Sequence, residues 1–332
     1  MAPPVVRRKA PAAPVTGPAV IRRPAAIAAP VTAAGVPPRR KAPPVTEEAA
    51  PVRRSRRDDV ITEGLLLSTE LSEPVKSLEE VNWLIYGDAG IGKSSLASMF
   101  KGAYFLFFEP GGKGMSLHKS ECHNWAKFKH FAGLLAKQTQ FKTIVFDVVD
   151  SMYDRCFEYV CRREGMEHPN EKKWGEGWKA IRAEFEGEVL KLWEADKSLI
   201  FISHAKDKAF QTRSGKEYNK IVPSMGAQAF EFVSGFVDVM GFYGYNGDER
   251  YLTIRGSDEV EAKNRLKYRF RTADGKRKVH SIPLFDERNE DYDEEDAFKA
   301  IVSAFNNQQK TTGEPELPVT LANIALKPKK RQ

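Results

Sequence analysis

Three stretches of this chain run apolar without alternation: AYFLFF from Ala103, TIVF from Thr143 and LIFI from Leu199. A fourth, WLIY from Trp83, leads into a glycine-rich loop. Continuous runs of this length fit parallel strands covered on both faces, whereas half-exposed strands alternate. Helical spacing fills the intervals: SLASMF after the first loop, Asn124 to Lys137, Ser151 to Glu164, and Trp174 to Ala195. Strand alternating with helix predicts a doubly wound α/β sheet. From Asp238 the pattern changes. VDVMGFYGY, RYLTIRG, KYRFRT and KVHSIPL read as strands joined by turns such as NGD and ADGK, an antiparallel β extension. A closing helix is predicted from Glu294 to Phe305.

Composition separates the ends from this core. Residues 1–57 hold 12 of the 20 prolines, no aromatic residue, and twelve Lys/Arg against two Glu, a charge of +10. RRKAPAAPVT at Arg7 recurs as RRKAPPVT at Arg39. Such a segment buries too little apolar surface to offset its ordering entropy, so a disordered, partly polyproline-II basic arm is expected. A second polar tail, 307–332, ends in KPKKRQ and carries +3. With a total of +7, the core domain 58–306 is left near −6. Basic arms touch nucleic acid or other polyanions, or simply keep a chain in solution.

No uninterrupted run of about 18 apolar residues occurs, so no membrane span is expected. Prolines after Arg7, Arg8 and Lys9 break any leader core. Three cysteines, Cys122, Cys156 and Cys161, fit a reducing cytoplasm. Their spacing relative to His118, His123 and His130 is not that of a zinc site, so no metal beyond Mg²⁺ is expected.

The chemistry gathers at the loop. Gly87, Gly92, Lys93 and Ser94 satisfy G-x-x-x-x-G-K-[ST]. Glycines let backbone N–H groups turn inward around a polyphosphate. Gly87, Asp88, Ala89, Gly90, Ile91, Gly92, Lys93, Ser94 and Ser95 are the expected ATP-binding set, with Lys93 on the β- and γ-phosphates and Ser94 on Mg²⁺. Asp147, ending TIVFD, stands where a Walker B acid would complete the Mg²⁺ site, and Asp150 is either a second acid or a helix cap. Glu109 lies 15 residues beyond Ser94 at a strand tip and is the candidate base for hydrolysis. His204 closes the third apolar run and is a candidate γ-phosphate sensor. After it, Ala205 to Val222 reads as a long polar loop with five Lys/Arg, two acids, Phe210 and Tyr218, a composition suited to single-stranded nucleic acid or to a mobile loop. Lys263 and Arg265, two apart on an expected strand, either reach a neighbouring subunit's phosphates or stay solvated.

In order, GDAGIGKSSL, FFEPGG, TIVFDVVDSMY, LIFISHAKDK, VSGFVDVMG and EAKNR resemble the phage-encoded RecA-like ATP-binding proteins, over Val81 to Leu266. The resemblance implies a RecA-like P-loop NTPase core and a single-strand annealing or recombination setting. It further implies Lys93 and Ser94 at the phosphates, Glu109 as catalytic carboxylate, Asp147 at Mg²⁺, His204 as sensor, and Lys263 to Arg265 as a cationic motif acting between subunits. Expected partners are single-stranded DNA, further copies of the chain, and phage or host recombination and replication proteins, in the cytoplasm of a bacterial host if phage-encoded. The leading reading is a Mg²⁺-dependent, DNA-stimulated ATPase. The alternatives are a nucleotide-gated DNA-binding scaffold with negligible hydrolysis and a helicase-loading or packaging motor. Val148, where such motors usually carry a second acid after Asp147, disfavours the motor.

Overall fold

Every continuous apolar run becomes a strand of one sheet in the computed structural model, which describes residues 71–213, 215, 217–286 and 293–313. The strands are β1 (Trp83–Gly87), β2 (Ala103–Phe107), β3 (His118–Glu121), β4 (Thr143–Asp147), β5 (Ser198–Gln211), β6 (Glu217–Pro223), β7 (Val239–Asn246), β8 (Glu249–Thr253), β9 (Lys263–Asn264) and β10 (Ser281–Asp286). Their order is β10-β8-β7-β1-β5-β4-β2-β3. From β7 to β3 all neighbours are parallel; β8 and β10 add to the β7 edge antiparallel. This is the expected mostly parallel α/β sheet with an antiparallel extension.

The helices are α1 (Lys93–Ser98), α2 (Trp125–Leu135), α3 (Val149–Glu164), α4 (Glu176–Glu194), α5 (Ala227–Phe236) and α6 (Glu294–Phe305). Period two along each strand divides the core. Leu84, Tyr86, Leu106, Phe146 and Phe201 pack under α2 to α5, while Trp83, Ile85, Phe105, Val145 and Ile202 face α1 and α6. Both faces are covered, which is why the strands carry no polar alternation. Trp83 shows the density of the second layer: its ring meets Phe100 and Phe270 edge-on at 6.0 and 5.9 Å. The predicted α2 and α6 start at side-chain caps, with Asn124 accepting from Lys127 N and Asp293 from Asp296 N.

Four expectations change. The polar loop after His204 is a hairpin: β5 continues to Gln211 and pairs antiparallel with β6 over seven rungs. Its charged residues hide a strand because beyond the base at Ala205, Ile221 and Val222 the hairpin leaves the core. KYRFRT is not a strand. Only Lys263–Asn264 pair with β7, and Phe270 takes a left-handed φ of 55° that places its buried ring between Trp83 and Phe305. The tail expected from 307 begins later, because Asn307 Oδ1 accepts from Arg271 N and Thr312 O accepts from His280 N. Residues 307–313 thus belong to the domain. The strand β3 was not expected, since HKSE has no apolar signature; it holds the open edge beside β2. The arm 1–57, residues 58–70 and the remainder of the tail, 314–332, lie outside the described residues. Among those described, no helix is long and apolar enough to cross a membrane.

Candidate nucleotide site

The loop between β1 and α1 is fixed from behind and open in front. A Cβ at Gly87 would stand 2.1 Å from the Tyr243 carbonyl oxygen of β7, so only glycine lets the loop leave the sheet there. Gly90 and Gly92 take φ of 80° and 106°, left-handed values that L side chains resist. Ile91 is buried among the apolar residues under α1, while Asp88, Ala89 and Gly90 are exposed. Arg250 of β8 donates to Ile91 O at 3.0 Å and lies beside Gly92 with the Tyr243 hydroxyl. No local spacing in the sequence reveals Arg250, which reaches the loop from 159 residues away. The α1 helix has only six residues, so the groups here that could meet an anion are the loop's own N–H groups and Lys93.

Lys93 is 6% exposed. Its ammonium donates to Gly87 O at 2.9 Å and Asp88 O at 2.7 Å. Burial lowers its pKa against the opposing pull of Asp147, Asp88 and Asp150. Ser94 Oγ donates to Asp147 Oδ2 at 2.6 Å. Burial raises the Asp147 carboxyl, and the Ser94 hydrogen bond and Lys93 charge oppose that rise. A hydroxyl and a carboxylate in contact suit Mg²⁺, which keeps several waters and takes one or two protein ligands alongside phosphate oxygens. Among the described residues no group of three or more His, Cys, Asp and Glu could hold a metal ion.

Sheet register brings the remaining groups to the same edge. Gly87 pairs with His204, and Asp147 lies between Ile202 and Phe107. Two residues past Phe107, Glu109 Oε1 accepts from Ser151 Oγ at 2.5 Å, and its Oε2 stands 4.0 Å from His204 Nε2. The Glu109 side chain is 44% exposed. Asp150 sits in the first turn of α3 and accepts from Ser224 Oγ. Ser151 and Ser224 had no motif to mark them.

Lys263 and Arg265 are not part of this cluster. The Lys263 ammonium donates to Ser234 O in the last turn of α5, and β9 pairs with Val239 and Met240 at the start of β7. Tyr243, level with Gly87, is three residues further along β7, about 10 Å at the usual rise per residue. Burial, then Arg265, brings the Lys263 pKa down to about 8. Arg265 itself is exposed. The cysteines, all free and buried, lie apart from this chemistry.

No curated protein matches the chain. A solved structure that matches is the KaiC-like protein PH0186 from the hyperthermophilic archaeon Pyrococcus horikoshii OT3, at 13% identity. That match covers 62% of this chain and 85% of the other, with a TM-score of 0.36. Residues 79–266, more than half of the chain, match the family described as an AAA domain (AAA_24). That span runs from just before β1 to just past Arg265 and takes in the phosphate loop, Glu109, Asp147 and His204. The chain belongs to the AAA domain family of P-loop ATPases.

Proposed function

We propose that this protein is a Mg²⁺-dependent ATPase that acts on single-stranded DNA in recombination, annealing or replication. Support for the DNA half comes from one observation: the β5–β6 hairpin springs from the same sheet edge as the phosphate loop and carries a cationic, aromatic face. By register, Lys208 is opposite Lys220 and Phe210 opposite Tyr218. Side chains alternate along a strand, so Lys206, Lys208 and Phe210 share a face with Tyr218 and Lys220. The Phe210 and Tyr218 rings stack at 5.7 Å, with the Lys208 ammonium 5.2 Å from the Phe210 centroid. Lys206 and Lys220 are held by other partners, Ser224 O at 2.8 Å and Glu261 at 2.7 Å. Cations with stacked rings suit a strand whose phosphates are tracked and whose bases stack.

In the proposed reaction Lys93 leaves the loop carbonyls for the β- and γ-phosphates. Ser94 and Asp147 would hold the metal, which would supply positive charge to offset that on the transferring phosphoryl group. Glu109 takes the proton of the attacking water through Oε2, while Ser151 fixes Oε1. His204, level with Gly87, reports the terminal phosphate to the hairpin that continues its strand.

ATP turnover with and without single-stranded DNA tests the whole reading. DNA that neither binds nor changes turnover would leave an ATPase of another purpose, and binding without turnover would leave a nucleotide-gated scaffold. A triple K208A/F210A/Y218A variant should bind single strands on the order of tenfold more weakly, the scale of losing one stacked base, with unstimulated turnover retained. Wild-type DNA affinity in that variant would remove the hairpin from the interface.

The chain is further proposed to work as a homo-oligomer, with the exposed Arg265 supplying charge to a neighbour's phosphates. Mixing K93A with R265A subunits should then restore part of the turnover that each lacks alone, since some interfaces pair an intact phosphate loop with an intact Arg265. No recovery on mixing, together with activity independent of protein concentration, would mean each chain works alone.

A further inference from the structure

Residue 224, immediately after β6, spends every polar group it has on the junction between hairpin and site. Its N–H donates to His204 O at 2.8 Å, its carbonyl accepts from Lys206 Nζ at 2.8 Å, and its hydroxyl donates to Asp150 Oδ1. Asp150 is followed by Ser151, whose hydroxyl donates to Glu109 at 2.5 Å. Two neighbouring residues in the first turn of α3 therefore hold, side by side, the foot of the hairpin and the Glu109 carboxylate.

We propose that Asp150 and Ser151 form a mechanical tie through which nucleotide at the phosphate loop changes the state of the β5–β6 hairpin, with Ser224 as the positioning residue at its hairpin end. The inference rests on the nucleotide reading of the site and does not require that the hairpin's ligand be DNA. Its two joints are side-chain hydrogen bonds, whereas the parallel His204 route reaches Glu109 only at 4.0 Å, beyond hydrogen-bond distance. The tie also has a second state available. Among the described residues, Asp150 Oδ2 is buried with no hydrogen-bond partner, and a buried acceptor left without a donor is destabilising. A small shift of α3 or of the Ser224 turn that brings a donor to that oxygen recovers this cost. Coupling between sites needs such an element with two discrete arrangements, biased by both.

The test reads the hairpin directly, without DNA. Hydrogen exchange of the amides from Lys206 to Val222 is measured with and without Mg²⁺ and a slowly hydrolysed ATP analogue. Wild-type exchange should change by about fivefold or more, the lower end of ordinary allosteric coupling. In Ser224→Ala the change should vanish while affinity for the analogue stays at the wild-type value, and Ser224→Thr, which restores the hydroxyl, should bring it back. Ser151→Ala should show the same loss from the other joint, which keeps the test sound should Ser224→Ala not melt cooperatively. A hairpin indifferent to nucleotide in the wild type, or equally responsive in all variants, overturns the tie. Failure of the wild type to bind the analogue is a separate result, and it would sink the nucleotide reading itself.

Discussion

Lys93→Ala should leave a folded domain that binds ATP on the order of 100-fold more weakly, or not measurably. Hydrogen bonds to charged groups contribute about 1.5–3 kcal/mol each, and one ammonium serves two phosphates. The fold should survive, because what the mutation orphans is small. Gly87 O and Asp88 O lose a donor, and Asp88 lies in an exposed stretch of the loop where water can replace it. Isothermal titration or a fluorescent ATP analogue, run beside thermal melts of both proteins, separates lost binding from lost structure. Unchanged affinity in a cooperatively folding Lys93→Ala would remove the phosphate-loop assignment.

Glu109→Gln should keep nucleotide affinity and lower kcat by on the order of 10²-fold or more, the usual cost of losing a general base. Glutamine has the same shape and retains a carbonyl oxygen for the Ser151 hydroxyl at the Oε1 position. The substitution therefore removes basicity while keeping the position. Single-turnover hydrolysis is the informative measurement, because it excludes product release. Turnover near wild type would move the base elsewhere in the cluster. Asp150 is then the alternative carboxylate, although the Ser224 hydroxyl already occupies one of its oxygens.

The parts legible in the sequence are those whose cause is local. Burial on both faces forces β1, β2, β4 and the first half of β5 to be apolar throughout, so periodicity finds them. The ends of the parallel pairing then locate Glu109, Asp147 and His204, because parallel strands deliver their carboxyl ends to one edge. Arg250, Ser151 and Ser224 were hidden for the opposite reason. Each is an ordinary polar residue whose partner is distant in the chain: Ile91 for Arg250, Glu109 for Ser151 and Asp150 for Ser224. The outer part of β5 and of β6 escapes a reading based on hydrophobicity, since it is defined by its partner strand; only the base of the hairpin, at Ile221 and Val222, reaches the core. Phe270 misled in the other direction. Alternation in KYRFRT suggests a strand, yet one aromatic ring drawn beneath Trp83 turns the backbone out of extended geometry.

The sheet's polar margin at β3 bears on how copies of the chain can meet. An unpaired strand edge is a template for continuation by another molecule, and short, charged edges discourage it. β3 offers only four residues, three of them, His118, Lys119 and Glu121, ionisable. Its inner side is already paired with β2 over the full length. A second protomer approaching that margin would meet solvated charges over about 13 Å of backbone, from four residues at the usual rise. Fibril-like growth through this side is therefore disfavoured. Copies of the chain that met on this side would have to do so through side chains rather than by extending the sheet.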